Sequence, residues 1–508
     1  MSISYRKILY LLTLFLFIEL VSFNVFLAGN SSFLVFIVLN LIVFVVSVYS
    51  LEYGLLIAVS ELIISSKGYL FYGDFFGHII SIRMSIWFIL VFLGFIFSLK
   101  KIYEGYKKNN LYLSYRKLIK NIGDDKVCLS LLVLFFFVLV GVLQGVLNNS
   151  PVDVFKDFNA YLYFLYFIPV YFIYLNKELG DLKKNNLITV IFSAIIWLSL
   201  KTLFLLYYFS HNFLETMPII YKWVRDTGVG EITKMKYDFY RIFFQSHIFV
   251  SIFFLILLTI FLSSKMDFAK NKKRAVLFPL FLSILSSVII VSYSRTNWLG
   301  LFVVFLFLFT SLFAYGGFRN GIFSLLKSML IFLLSVLILY LIVVIPIPNK
   351  GSHFEPGLLL DRASSIKGEA GVSSRWSLLP AMIDQIKKNP ILGNGFGTEV
   401  TYKSFDPRVL SATGDGVYKT FSFEWGWLEL WIKIGFLGVL SYLSLLAFLS
   451  YDFFKDFTEN KDYIYLSLSL SVILISVIHF FSPYLNHPLG IGYIIFLLLI
   501  RKTIRKKA

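Results

Sequence analysis

The feature that most constrains this chain is a series of apolar runs, each close to twenty residues long, that recurs along the whole sequence. About 20 apolar residues cross a bilayer as a helix. Only helices and closed barrels satisfy their backbone hydrogen bonds in lipid, and these runs are too long for barrel strands. The sequence therefore predicts an all-α polytopic membrane protein.

The composition agrees with this prediction. Of the 508 residues, 58% are hydrophobic and 15% are charged, whereas about a quarter are charged in an average soluble domain. This excludes a disordered or fibrous chain, and the single cysteine, Cys128, excludes an internal disulfide. About 14 spans are predicted, near 8–27, 32–50, 51–66, 79–99, 127–147, 158–175, 187–209, 243–263, 275–293, 297–315, 328–347, 425–450, 463–482 and 487–500.

The net charge is +18, and the distribution of the basic residues among the loops predicts the orientation of these spans. In a soluble chain it would suggest nucleic acid, but cytoplasmic loops of membrane proteins carry an excess of Lys and Arg, so we expect no nucleic-acid partner. With the N-terminus inside, the basic residues concentrate in loops on the same side, and both termini are cytoplasmic. These loops are 100–126, 176–186, 264–274, 316–327, 451–462 and the C-terminal tail. The first apolar run lacks a small-x-small cleavage site, which indicates a retained helix.

Two long segments on the outer side interrupt the pattern of short connections, at 210–242 and 348–424. Long connections in compact proteins tend to be functional or disordered. The second has helical periodicity in SSRWSLLPAMIDQIKKNP, which ends at Pro390, and then a GNGFG turn. We therefore predict about 11 spans over 1–347, a folded cap over 348–424 and about 3 spans over 425–508.

Two arginines lie where an outer segment meets an apolar run. Arg295 stands in VSYSRTNWLG between two predicted spans, and Arg241 stands in KMKYDFYRIFFQSH where a segment enters the membrane. Each either anchors a helix end to lipid headgroups or faces a pocket between helices, where its planar fork suits phosphate. A basic cluster precedes Arg241, formed by Lys222, Arg225, Lys234 and Lys236.

The predicted cap contributes further charged candidates. Arg362 and Arg375 are either ordinary exposed charges or ligands for an anion. Glu424 lies where the cap returns to the membrane, between aromatic residues, and is either a proton acceptor or one half of a salt bridge. Glu429 is five residues further along a predicted helix and so faces another direction. Glu19, Glu61 and Lys201 are assigned to packing.

Signatures of other enzyme classes are missing from the sequence. It contains no P-loop, HExxH or GxSxG motif and no Cys and His set at metal-binding spacing. We therefore expect no metal, nucleotide or other cofactor.

Three motifs together resemble the O-antigen ligase and O-antigen polymerase superfamily of bacterial inner-membrane enzymes. They are SYSRTNWLG at 292–300, SSRWSLLPAMIDQIKKNPILGNGFG at 373–397 and FEWGWLELWIKIGFLG at 423–438. The resemblance implies a GT-C-like membrane glycosyltransferase with its large loop in the periplasm. In one respect the chain departs from the ligases, which carry His followed by Asn, Ser or Gln, nine residues and Gly-x-x-Gly. Counting back from Gly435 places Glu424 at the position of that histidine.

The resemblance implies a polymerase that joins undecaprenyl-diphosphate-linked oligosaccharide repeat units into O-antigen, capsule or exopolysaccharide. Catalysis would be metal-independent and inverting, with Arg241 and Arg295 at the diphosphate and Glu424 as proton acceptor. Substrate-binding residues would be Arg375, Arg362 and Lys236. Further partners would be the bilayer, a chain-length regulator and a flippase. A ligase that transfers polymer to lipid A-core is an alternative, and a flippase is another, although no internal repeat of the kind common in transporters is present.

Overall fold

The structure is a computed structural model. It describes residues 5–29, 32–75, 77–107, 125–170, 181–263, 272–347 and 370–505, together with a few single residues between 348 and 369. The α-helices are α1 (Tyr5–Ala28), α2 (Ser32–Tyr49), α3 (Leu51–Ile64), α4 (Ile82–Lys107), α5 (Lys126–Asn148), α6 (Pro151–Phe158), α7 (Asp181–Ser210), α8 (Met217–Asp226), α9 (His247–Leu262), α10 (Lys272–Val291), α11 (Arg295–Gly316), α12 (Phe318–Val344), α13 (Ala370–Lys388), α14 (Pro407–Thr413), α15 (Gly426–Asn460), α16 (Tyr463–His479) and α17 (Pro488–Arg505).

The described residues also form three short 3-10 helices, Asn159–Tyr166, Lys236–Asp238 and Tyr484–Asn486. Three antiparallel hairpins complete the described secondary structure, and none of the hairpins is predicted from the sequence. They are β1 (Tyr72–Phe75) with β2 (His78–Ser81), β3 (Glu231–Lys234) with β4 (Tyr240–Phe243), and β5 (Val400–Lys403) with β6 (Val417–Thr420). Each strand has only four residues, so its alternation is too short to stand out from the apolar runs around it.

The predicted all-α polytopic membrane fold is confirmed. Within the described residues, eight helices are long and apolar enough to cross a membrane: α1, α2, α4, α5, α7, α11, α12 and α15. Four shorter apolar helices correspond to α9, α10, α16 and α17. The helix α15 packs most extensively against α5 and α16, which makes it the centre of the C-terminal half.

The predicted span at 158–175 is wrong as a continuous helix over its described part. The chain ends α6 at Phe158 and continues as a 3-10 helix, Asn159–Tyr166, while residues 171–180 lie outside the described residues. Aromatic side chains are weak helix formers, and two of them here pack on one ring: Phe158 and Tyr161 lie 5.6 and 5.0 Å from Phe396, centroid to centroid.

Charged side chains inside the helix bundle occur as ion pairs. Lys201 Nζ lies 2.7 Å from Glu19 Oε1, and Arg83 Nε lies 3.0 Å from Glu61 Oε2. All four side chains are nearly inaccessible. An unpaired charge is expensive in a membrane, so these pairs agree with the structural role that the sequence indicates for Glu19, Glu61 and Lys201.

We call the end of the bundle that carries α13, α14 and the β5–β6 hairpin the cap end. A small core separate from the main one lies here, formed by Leu378, Met382, Ile386, Val400, Phe423, Trp425 and Ile432. The helix predicted in this segment is confirmed, and it ends at Lys388, two residues before Pro390. The helix α15 starts at this end and α16 returns to it, so the turn after α16 lies here. The turn after α10 lies here as well, because Thr296 at the start of α11 contacts Ser482 after α16.

The predicted orientation can be tested with two exposed positions at opposite ends. Ser422 lies beside the cap, and Asn320 lies where α11 connects to α12. In a Cys128→Ser background, we expect Ser422→Cys to react with a membrane-impermeant thiol reagent in intact spheroplasts, and Asn320→Cys to react only after permeabilisation. The opposite labelling pattern would invert the predicted topology.

Candidate functional site

Arg241 and the turn before α11 are brought together at the cap end. Arg241 lies on β4 opposite Thr233, and its Nε donates a 2.9 Å hydrogen bond to the carbonyl oxygen of Ser292. Its guanidinium lies over the ring of Phe243, 4.8 Å from the centroid. The hairpin therefore holds Arg241 against Ser292, which lies three residues before Arg295. Arg241 and Arg295 themselves are far apart in the sequence.

Arg295 is the first residue of α11. The preceding Ser294 caps the helix by accepting a hydrogen bond from the amide of Asn297 at 3.4 Å. Tyr293 is fully buried and has a φ of 49°, a left-handed conformation that costs about 1–2 kcal/mol in a residue with a side chain. The start of a helix carries a partial positive charge. Arg295 thus adds a full charge to a position that already favours anions.

The segment 480–487 connects the two halves of this region, and the sequence analysis missed it. Thr296 Oγ1 and Ser482 Oγ are 3.2 Å apart, and the Tyr484 hydroxyl donates to the carbonyl oxygen of Gln245 at 3.0 Å. On the other side, the ring of Phe481 packs 5.3 Å from that of Trp425. Two prolines and several polar residues between apolar runs, FSPYLNHP, are the signal that could have marked this turn.

Glu424 forms an ion pair with Arg375 at the edge of the cap. The indole of Trp425 also donates to the carbonyl oxygen of Arg375 at 2.9 Å, so the strand of chain before α15 is fixed to α13. The Arg375 side chain is 33% exposed and that of Glu424 is 55% exposed. Both remain within reach of a ligand, and the role of Glu424 as proton acceptor stays a prediction.

The two remaining predicted residues are not part of these contacts. Lys236 is exposed in the connection between β3 and β4. Beside it, Lys234 Nζ lies 2.7 Å from Asp238 Oδ1, and this hydrogen bond raises the pKa of Lys234. Arg362 lies outside the described residues.

The GNGFG turn at 393–397 joins the cap to two spanning helices through backbone contacts. The amide of Asn394 donates to the carbonyl oxygen of Ile432 in α15 at 2.6 Å, and the amide of Phe396 donates to that of Gly141 in α5 at 3.1 Å. Gly393 and Gly395 have φ values of 82° and 90°. The sequence indicates only a flexible turn here, whereas the structure shows a buried junction.

The GNGFG turn packs against a kink in α15 at Gly435. Gly435 has a φ of 70° and interrupts α15. Two amides beyond the kink bond to the cap: Phe436 donates to the carbonyl oxygen of Pro390 at 3.0 Å, and Leu437 donates to that of Ile391 at 3.3 Å. Every buried backbone group needs a partner, so the glycine of the third sequence motif allows the cap to supply carbonyls that a straight helix would have supplied itself.

Three buried charges lie beside the junction. Lys433 forms ion pairs with Asp157 of α6 and with Glu429, one turn earlier in α15. The second oxygen of Asp157, Oδ2, accepts a 2.8 Å hydrogen bond from the amide of Gly397. Each of the three charged side chains is at most 5% exposed. The prediction that Glu429 faces away from Glu424 is confirmed.

Replacing Gly435 with Ala should destabilise the protein strongly. A methyl group there would overlap the carbonyl oxygen of Ile391, in addition to the left-handed φ. Gly414, also in the cap, has a φ of 77° but open space around it, so Gly414→Ala carries only the conformational cost of about 1–2 kcal/mol. We expect the melting temperature of Gly435→Ala in detergent to fall well below that of Gly414→Ala. Equal melting temperatures would show that the junction does not hold the cap.

Residues 278–443 match the family described as O-Antigen ligase. The matched part runs from α10 through the cap into α15, and therefore includes Arg295, Arg375 and Glu424, whereas Arg241 precedes it. No curated protein matches the chain. The resemblance that the three motifs predict is thus confirmed over residues 278–443, which are similar to the O-antigen ligase family.

Proposed function

We propose that this protein polymerises undecaprenyl-diphosphate-linked oligosaccharide repeat units at the periplasmic face of the bacterial inner membrane. The family match supports glycan transfer onto or from a lipid carrier. The observation that carries the proposal is the hydrogen bond from Arg241 to Ser292, because it gathers two arginines and a helix start at one end of a membrane bundle. Such a cluster suits a diphosphate.

The reaction forms one bond and breaks one bond at the anomeric carbon of the donor. The acceptor hydroxyl oxygen attacks this carbon while the bond to the diphosphate oxygen breaks, so the anomeric configuration inverts. The hydroxyl proton passes to Glu424, and undecaprenyl diphosphate leaves with the bonding electron pair. The arginines lower the barrier because they face the negative charge that develops on the leaving group.

Arg375 has two roles in this proposal. Its contact with Glu424 orients the carboxylate, as the third member of a catalytic set orients a base. Its remaining exposure lets it approach an anionic substrate from the cap side. Arg362 and Lys236 are proposed to bind the same substrate from the cap and from the β3–β4 connection.

A ligase that transfers polymer to lipid A-core is the second candidate, and the description of the matched family favours it. Glu424 at the position of the ligase histidine favours the polymerase. The surface glycan of a deletion strain separates them on a gel. Loss of long chains with a single repeat unit retained supports the polymerase, whereas long polymer that accumulates on the carrier lipid supports the ligase.

In the same strain, complementation with Arg295→Ala or Arg241→Ala should leave the long chains absent. We expect Lys at either position to restore only part of the polymer, because its ammonium lacks the bidentate fork. Arg319→Ala, an exposed arginine at the opposite end of the bundle, is the matched control and should complement fully. Membrane levels of each variant are measured by immunoblot. Full complementation by Arg295→Ala would contradict its role at the diphosphate.

Replacing Glu424 with Gln should reduce turnover by a factor on the order of 10²–10⁴, the usual contribution of a positioned proton acceptor. An exposed ion pair contributes little to stability, so the melting temperature should stay near that of the wild type. By resemblance to the ligases, Glu424→His should retain some activity. Purified variants are assayed with lipid-linked repeat units.

The control for this experiment is Asp384→Asn, which removes another exposed ion pair of the cap, that with Lys387. It should polymerise at the wild-type rate. If Glu424→Gln is equally stable and equally fast, Glu424 does not accept the proton.

A further inference from the structure

One tryptophan of the cap differs from all the others in the chain. The eight tryptophans all belong to the described residues. Seven of them are buried or half-buried, and each donates its indole N–H to a protein oxygen: Trp87, Trp197, Trp223, Trp298, Trp425, Trp427 and Trp431. Trp376 in α13 is 58% exposed, and its N–H has no hydrogen-bond partner among the described residues. Because an indole N–H usually finds a partner, packing within the chain does not account for Trp376.

Trp376 lies directly beside the candidate site. It follows Arg375, whose side chain forms the ion pair with Glu424. Its ring packs edge-to-face on that of the buried Trp425, with the centroids 5.6 Å apart and an interplanar angle of 68°. The indole of Trp425 donates to the carbonyl oxygen of Arg375 at 2.9 Å. The backbone of α13 and the ring of Trp425 therefore hold the exposed indole next to the predicted proton acceptor.

The β5–β6 hairpin is attached to the same turn of α13. Ser377 Oγ donates to the carbonyl oxygen of Lys403 at 2.7 Å, and the amide of Phe405 donates to Ser374 Oγ at 2.9 Å. Phe405 is 46% exposed. The hairpin therefore brings a second accessible aromatic side chain to the turn that carries Trp376.

The face of α13 that carries Trp376 is a water-facing surface. At helical spacing, the same face contains Asp384 and Lys387. Their side chains are 71% and 70% exposed and form an ion pair with each other. Charges are expensive in the hydrocarbon of a bilayer, and along α11 the exposed Phe302 and Leu306 lie in a run without any charge. Trp376 is therefore accessible to a ligand from the aqueous side.

A sugar ring fits the chemistry of this position. One face of a pyranose consists of C–H bonds with partial positive charge, and it complements the negative face of an indole. A tryptophan side chain also loses little entropy on binding, because it has only two rotatable bonds. We propose that Trp376 binds a sugar ring of the acceptor glycan by stacking, while its in-plane N–H donates to a hydroxyl oxygen of the neighbouring sugar.

The assignment to the acceptor rests on the proposed function, in which Glu424 takes the proton of the attacking hydroxyl. A sugar stacked on Trp376 lies beside the ion pair of Glu424 with Arg375. Stacking covers one face of the sugar and so decides which of its hydroxyls point to the carboxylate. Trp376 is therefore a specificity residue, which favours an acceptor sugar with one open C–H face over a sugar with axial hydroxyls on both faces.

Binding of a lipid-free glycan tests this inference without any assay of activity. The probe is the repeat-unit oligosaccharide released from its carrier by mild acid, so it has no diphosphate for the arginines to bind. In calorimetric titration of the purified full-length protein, Trp376→Ala should raise the Kd about 2- to 10-fold, the usual contribution of one aromatic contact. Trp376→Phe keeps a smaller ring and should raise it less. The control is Phe318→Ala, which removes a 75% exposed ring at the opposite end of the bundle and should bind like the wild type. Equal affinities of the wild type and Trp376→Ala, or no binding by either, would overturn the proposal.

The competing explanation is that Trp376 anchors the cap at the membrane surface, as interfacial tryptophans commonly do. The protein is therefore reconstituted in phosphatidylcholine vesicles whose acyl chains are brominated near the headgroup, where bromine quenches tryptophan fluorescence. The emission of the wild type minus that of Trp376→Phe isolates the signal of Trp376. We expect this signal to resist bromine and to be quenched by aqueous acrylamide, with the oligosaccharide protecting it. Quenching by bromine without protection by the oligosaccharide would show a membrane anchor and reject the sugar site.

Kinetics of Trp376→Ala then separate this inference from the proposed function. The side chain is exposed, so the variant should melt near the wild-type temperature. An increased KM for lipid-linked repeat units at similar kcat supports a sugar contact, whereas an unchanged KM contradicts it. If the wild type itself forms no polymer, the proposed function fails, while calorimetry and quenching still decide whether Trp376 binds a sugar.

Discussion

The contact on which the C-terminal half depends is the backbone junction between the cap turn and the kinked helix α15. Gly393 and Gly435 approach so closely that neither position accommodates a side chain. The amides after the kink then bond to cap carbonyls rather than to the helix. In lipid an unpaired backbone group costs several kcal/mol, so the kink is stable only while the cap is docked. Cap and helix therefore form one structural unit.

The charged side chains buried in the bundle are paired as well. Asp157 bonds the glycine turn with one oxygen and Lys433 with the other, so the ion pair and the junction support each other. The pair of Glu19 with Lys201 connects α1 to α7 in a comparable way. Because a single unpaired charge in such a position is expensive, these contacts fix which helices can be neighbours. Charge pairing therefore contributes to the arrangement of the helices, beside the buried serines and threonines that also contact neighbouring helices.

The sequence predicted the apolar helices well, because each one is a local signal of about 20 apolar residues, although eight of the described helices meet the length and composition of a membrane span and the run at 158–175 is not a continuous α-helix. It also singled out Arg241, Arg295, Arg375 and Glu424, since charges beside apolar runs stand out. It did not predict that Arg241 bonds to Ser292 or that Lys433 pairs with Asp157, because these partners are distant in the sequence and no periodicity connects them. The segment 480–487 was missed for a related reason: its importance lies in what it contacts, and its composition is that of an ordinary turn.

The candidate site has two halves: Arg241 with the turn before α11, joined by a backbone hydrogen bond, and Arg375 with Glu424, joined by an exposed ion pair. Arg241 is bound to the backbone of the turn before α11, which contains the buried Tyr293 in a left-handed conformation. Arg375 and Glu424, in contrast, form an exposed pair, which contributes roughly 0–1 kcal/mol. In the proposed function, the exposed part of Arg375 would meet an anionic substrate while its ion pair with Glu424 orients the carboxylate. The segment 480–487 contacts both halves, through Thr296 next to Arg295 and through Trp425 next to Glu424, and so joins them structurally.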